Sequence, residues 1–138
     1  MEIRKIIVHC SATAEGKPFT IDDVRRWHTA PRNRGGNGWS DIGYHYVIHL
    51  DGSIHKGRPE GVTGAHCLGH NRESIGICYI GGLAKDGRSP KDTRTPAQRR
   101  ALETLLFELK QRYPQAEIYG HRDLNPAKAC PCFDVRRQ

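Results

Sequence analysis

Residues 3–9, IRKIIVH, decide the fold: apart from Arg4 and Lys5 the run is β-branched and apolar, so it is expected to form a buried first strand with His9 at its C-terminal end. Near the other end of the chain, residues 116–121, AEIYGH, repeat the arrangement and close on a second histidine, His121. Two such strands can lie side by side in one sheet, and sheets of this kind usually carry their chemistry at strand C-terminal ends.

The segments between them alternate in period. In TIDDVRRWHTAP (20–31), Thr20 and Asp23 have capping-box spacing, while Ile21, Val24 and Trp27 follow a helical repeat that Pro31 stops. The glycine-rich stretch PRNRGGNGWSDIG (31–43) is too polar for core and is expected to border a site. YHYVIHL (44–50) alternates as a strand, Asp51-Gly52 supplies a turn, and SIHKG (53–57) returns as a hairpin partner. SIGICYIGG (74–82) is a further strand ended by two glycines. At Thr95 the sequence TPAQ combines an N-cap, a first-turn proline and a capping Gln98. Ala97, Ala101, Leu102, Leu105, Leu106, Leu109 and Tyr113 then form one apolar helical stripe, ended by Pro114. Alternation without a repeat predicts an α/β fold, a central mixed β-sheet flanked by helices, in a single domain spanning residues 1–138.

A chain of 138 residues with 36% hydrophobic content fills one core and leaves little for a second. No apolar run approaches the roughly 18 to 20 residues that span a bilayer, and the apolar segment of MEIRKIIVHCSA is too short for a secretory signal. No membrane insertion is expected, with synthesis in the cytoplasm without a signal peptide. Five cysteines, at positions 10, 67, 78, 130 and 132, cannot all pair and do not resemble a disulfide scaffold, which favours a reducing compartment. Only Pro131 separates Cys130 from Cys132, so a bridge between them would be strained. The net charge of +7 and pI near 9.4 favour an acidic partner: nucleic acid, an anionic membrane surface or a wall polymer bearing carboxylates. Nucleic acid is not expected, because no motif for it is present and the aromatic residues are not interleaved with basic ones. Arg99, Arg100, Lys110 and Arg112 read as the solvated face of the long helix.

His9, His121 and Cys130, which the terminal loop can return to the strand ends, are three good zinc ligands; three ligands with one open position describe a catalytic site. On spacing alone the set is weak and reads more readily as satisfied core or loop residues, since no short metal motif is present. The rival pair His45 and His49 imitates half of a helical HExxH, but Tyr46, Val47 and Ile48 favour a strand and no glutamate follows His45.

IVHCSAT (7–13), DIGYHYVI (41–48), DGSIHKGRPE (51–60), GAHCLGHNRESIGICYIGG (64–82), TPAQRRAL (95–102) and GHRDLNPAKACPCFD (120–134) together make the chain similar to the zinc-dependent N-acetylmuramoyl-L-alanine amidases. That superfamily holds the amidase-type bacteriophage lysozymes and the peptidoglycan recognition proteins, and the similarity is collinear from about Ile6 to Asp134. The resemblance implies one zinc ion per chain on His9, His121 and Cys130, an active-site tyrosine at Tyr44 and a lysine at Lys128. It implies substrate-groove residues at His66 and Asn71. It also implies cleavage of the amide between the lactyl group of N-acetylmuramic acid and L-alanine of the peptidoglycan stem, by a monomer that reaches the wall after release or export. Lys128 would balance the charge of the anionic intermediate and Tyr44 would orient water or donate to it; if residues 128–130 are extended, Lys128 and Cys130 share a side. Two departures stand out: PRNRGGNG lengthens the loop before Trp39, and the His121-to-Lys128 segment is about one residue longer than in similar phage enzymes. Two other functions belong to the same superfamily. Members lacking the zinc cysteine only recognise peptidoglycan, and some phage lysozymes of this type also act on a polymerase; nothing in this sequence specifies the latter.

Overall fold

The computed structural model describes residues 2–135. Five strands form the main sheet: β1 (Lys5–Cys10), β3 (Tyr46–Ile48), β4 (Ile54–Lys56), β5 (Ser74–Tyr79) and β7 (Glu117–Gly120), with β2 (Thr13–Ala14) and β6 (Gly82–Leu83) in a separate parallel pair. The helices are α1 (Ile21–Thr29), α2 (Pro96–Arg112) and the short α3 (His121–Leu124). The sheet order is β4-β3-β5-β1-β7, parallel throughout except for the β3–β4 hairpin. A central mixed sheet was expected, and this is one.

β1 is the sheet's pivot. Its neighbours are β5, in register from Lys5 opposite Ser74 to Cys10 opposite Tyr79, and β7, from Lys5 opposite Glu117 to Val8 opposite Gly120. The next residue on each of β1 and β7 is a histidine, so the register itself brings His9 and His121 together. Both faces of the sheet are covered, which is why β1 reads as a nearly continuous apolar run. Ile6, Val8, Ile75 and Ile77 pack on Leu102, Leu105 and Leu109 of α2; Val47, Cys78 and Ile80 pack on Ile21 and Val24 of α1.

The helix starts follow the capping residues. The Gln98 backbone N–H donates to Thr95 Oγ1 at 3.0 Å, and the Thr95 N–H donates to Gln98 Oε1 at 2.9 Å. Gln98 does more than cap: it is buried, and its Nε2 donates to the carbonyls of Ile48 and Ile80 at 3.3 and 3.0 Å, tying α2 to the ends of β3 and β5. At α1 the Thr20 N–H donates to Asp23 Oδ2 at 2.8 Å.

Several elements differ from the expected spans. β1 starts at Lys5 rather than Ile3, and the 44–50 strand shortens to Tyr46–Ile48. Trp27, the last member of the α1 stripe, reaches the surface and packs edge-on against Phe19 at 5.1 Å. α3 was not anticipated; the Asp123 carboxylate accepts the Gly120 N–H at 2.7 Å and turns the chain as β7 ends.

Candidate active site

His9 is the penultimate residue of β1 and is buried, His121 opens α3 directly after β7, and Cys130 lies on the terminal loop. Their ligand atoms all lie within 4.8 Å of one another, and among the described residues this is the single group of three metal-compatible side chains. What positions Cys130 is a set of contacts to its loop. The Arg122 N–H donates to the Cys130 carbonyl at 2.8 Å, the Tyr79 hydroxyl donates to the Pro131 carbonyl at 2.7 Å, and the Phe133 ring lies in the α2-side core under the Arg94 guanidinium. The Cys10 N–H points at Cys130 Sγ from 3.1 Å.

The electrostatics suit a cation. Burial, then the neighbouring His66 and His121, hold His9 well below the ordinary imidazole range. His121 is lowered by burial and then by the Lys128 ammonium. Both rings are therefore neutral at neutral pH, the state in which imidazole binds metal. One thiol and two imidazoles form a donor set suited to zinc, so the residues present fit the ion.

Lys128 is exposed and acts electrostatically on His121, so the ammonium borders the cluster. Residues 128–130 belong to no strand, and the Cys132 N–H closes a turn on the Ala129 carbonyl at 2.8 Å. The Tyr44 ring centroid lies 5.2 Å from that of His9. Burial, then the surrounding Cys78, Cys130 and Cys10, push the Tyr44 phenol well above its usual range, so it stays protonated and able to donate.

Beside the cluster opens a cleft of about 300 Å³, walled by His28, Trp39, Tyr44, His66, Leu68 and Asn71. His66 Nδ1 is 2.9 Å from His9 Nε2, and its pKa is pushed down to about 3, by burial first and then by His45 and His121. Asn71 staples the loop: its Oδ1 accepts the backbone N–H groups of His66 and Cys67 at 2.7 and 2.8 Å. The rival histidines are both committed elsewhere. His45 accepts the Gly76 N–H on Nδ1 at 3.0 Å and bonds the Val62 carbonyl through Nε2 at 2.8 Å, while His49 accepts the Ile21 N–H at 2.9 Å and stacks on His55. Cys132 turns away from the cluster, donating to the Gly82 carbonyl at 3.2 Å, and burial raises its thiol to about 11.

Sequence reasoning missed His28, Trp39 and Ser74. His28 sits on α1 off the apolar stripe, accepts the Gly43 N–H on Nδ1 at 2.9 Å, and faces Trp39 and Tyr44 at ring distances of 4.9 and 5.5 Å. Only the glycine-rich loop hinted at it.

Solved structures share this architecture. The N-acetylmuramoyl-L-alanine amidase LysC from Clostridium intestinale URNW superposes with a TM-score of 0.73 at 27% identity, over 95% of this chain and 77% of that one. Bumblebee PGRP-SA gives 0.78 at 25% identity, over 100% of this chain and 80% of its own. Fold and site together define an α/β amide hydrolase of the architecture shared with peptidoglycan recognition proteins. The chain belongs to the N-acetylmuramoyl-L-alanine amidase family, whose sequence profile matches residues 1–133. It is 41% identical over 136 residues to the endolysin of Klebsiella phage KP32, covering 99% of this chain and 85% of that relative, and 39% identical over 132 residues to the endolysin of Escherichia phage T7, covering 96% and 82%. It is an amidase that hydrolyses peptidoglycan between N-acetylmuramic acid and L-alanine.

Proposed function

We propose that this amidase is zinc-dependent and folds as one domain over residues 1–138, with His9, His121 and Cys130 holding one zinc ion, Tyr44 and Lys128 acting on the scissile amide, and the stem peptide lying along the cleft beside His66 and Asn71. The observation that carries the reading is the convergence of three donors from β1, α3 and the terminal loop within 4.8 Å. Zinc, when bound, supplies Lewis acidity and a nucleophilic water at neutral pH. The chain's own residues do the rest. Trp39 and His28 wall the cleft, and the protonated Tyr44 hydroxyl donates towards the oxygen on which negative charge develops. Lys128, at the solvent side of His121, brings the compensating positive charge. The chain acts as a monomer on the wall after release or export; among the described residues no helix is long and apolar enough to cross a membrane.

Metal analysis of the purified protein is expected to find close to one zinc per chain, and mass spectrometry of digested walls to find new L-alanine amino termini without new reducing sugar ends. Absence of zinc from an active preparation overturns the cofactor, and reducing ends overturn the bond cleaved. Binding of wall fragments without either product would leave a recognition module, the reading that Cys130 argues against.

A further inference from the structure

A chain of hydrogen bonds runs from His9 through His66 and the buried Ser74 to the backbone of Asn71. His66 Nδ1 lies 2.9 Å from His9 Nε2, His66 Nε2 lies 3.2 Å from Ser74 Oγ, and Ser74 Oγ lies 2.9 Å from the Asn71 carbonyl oxygen. The position of every proton follows from its far end. A carbonyl only accepts, so the single Ser74 hydroxyl proton goes to Asn71. Ser74 Oγ then offers only lone pairs to His66, whose Nε2 must carry a proton. A neutral imidazole has one N–H, so His66 Nδ1 is a lone pair and receives the Nε2–H of His9. The lone pair of His9 is left on Nδ1.

We propose that His66 and Ser74 are positioning residues that fix His9 in the Nε2–H tautomer and so present its Nδ1 to the zinc ion shared with His121 and Cys130. The inference rests on the zinc reading above. It gives His66 a task in the resting protein, before any substrate arrives.

The surroundings are built for this. A Cβ on Gly76 would stand 2.6 Å from the His66 ring, and one on Gly64 would stand 2.7 Å from it, so two glycines clear the space the ring occupies. Asn71 anchors both ends of the arrangement, holding the His66 backbone with its side chain and ending the hydrogen-bond chain with its carbonyl. Ser74 opens β5 opposite Lys5 of β1 and is buried. A side chain serving substrate alone has no need of a buried serine behind it. Metal-binding histidines commonly donate their second N–H to a carboxylate or carbonyl; here a neutral imidazole accepts, and adds no negative charge beside the ion.

The tautomers are read directly in metal-free protein labelled with 15N-histidine, from two-bond proton–nitrogen correlations at neutral pH. Nε2–H forms are expected for both His9 and His66, and an Nδ1–H form of either overturns the proposal. Zinc affinity by chelator competition is the second readout: His66→Ala and Ser74→Ala should each weaken it by about 10- to 100-fold, the usual cost of losing such a partner. His66→Asn, whose Oδ1 can accept the same N–H, should recover part of the loss, with near-UV circular dichroism verifying the fold of each variant. Unchanged zinc affinity in folded His66→Ala and Ser74→Ala, together with weaker binding of wall fragments, would make His66 a substrate contact and overturn the positioning role. Failure of the wild type to bind zinc would instead sink the metal reading, and the tautomer measurement on metal-free protein keeps the two failures apart.

Discussion

Cys130 and Cys132 look alike in sequence, and their surroundings divide them. Cys130 Sγ receives the Cys10 N–H and joins the two histidines, whereas the Cys132 thiol is spent on the Gly82 carbonyl. Cys130→Ser is therefore expected to lower zinc content sharply and abolish wall digestion, and Cys132→Ser to leave both nearly intact; metal analysis and turbidity clearing measure the contrast, and equal losses would mean the wrong thiol was chosen. Lys128 separates chemistry from binding. Because it borders His121 without being a ligand candidate, Lys128→Ala should keep zinc and wall-fragment affinity yet lose about 10²-fold in kcat, the cost of removing one charge-stabilising donor. Tyr44→Phe should follow the same pattern more mildly, since its ring packing against His9 survives. A rise in KM with unchanged kcat in either variant would assign that side chain to substrate binding.

At the scale of elements, α1 depends on an imidazole. His49 Nε2 accepts the Ile21 N–H at the helix start, and burial, then the stacked His55, lower its pKa despite the opposing fields of Asp51, Asp22 and Asp23. A folded-state pKa below the unfolded value of about 6.5 means that the unfolded chain takes up the proton first as pH falls. The stabilisation is thus complete above that value and lost below it. His49→Gln, which can retain an acceptor but cannot titrate, should flatten the decline of Tm between neutral and mildly acidic pH by a few degrees; an unchanged slope would show that His49 does not contribute. The sequence made the strands, the two long helices and their caps legible because period and capping chemistry are local properties. It did not reveal α3, whose turn depends on one Asp123 carboxylate, or the β2–β6 pair, whose strands of two residues are too short to have a period. The candidate ligands could be named, but Ser74 and His28 could not, because what they touch is set by the sheet register and by glycines that make room for rings.

Over the whole molecule the net charge of +7 meets a polymer bearing carboxylates, so part of substrate capture is long-range and open to screening. Raising ionic strength from about 0.05 to 0.5 M, which shortens the Debye length from roughly 14 to 4 Å, should increase KM for intact walls and leave kcat nearly constant. An unchanged KM would remove the charge from substrate capture. The hydrogen bond from the Cys10 backbone to Cys130 closes a span of 120 residues, and that distance has a meaning in time. A chain emerging from the ribosome N-terminus first presents His9 early, His121 late and the thiol later still. Until residue 130 has been made, the growing chain lacks one of the three candidate donors. The candidate metal site is therefore among the last features of this domain to be completed as the chain is made.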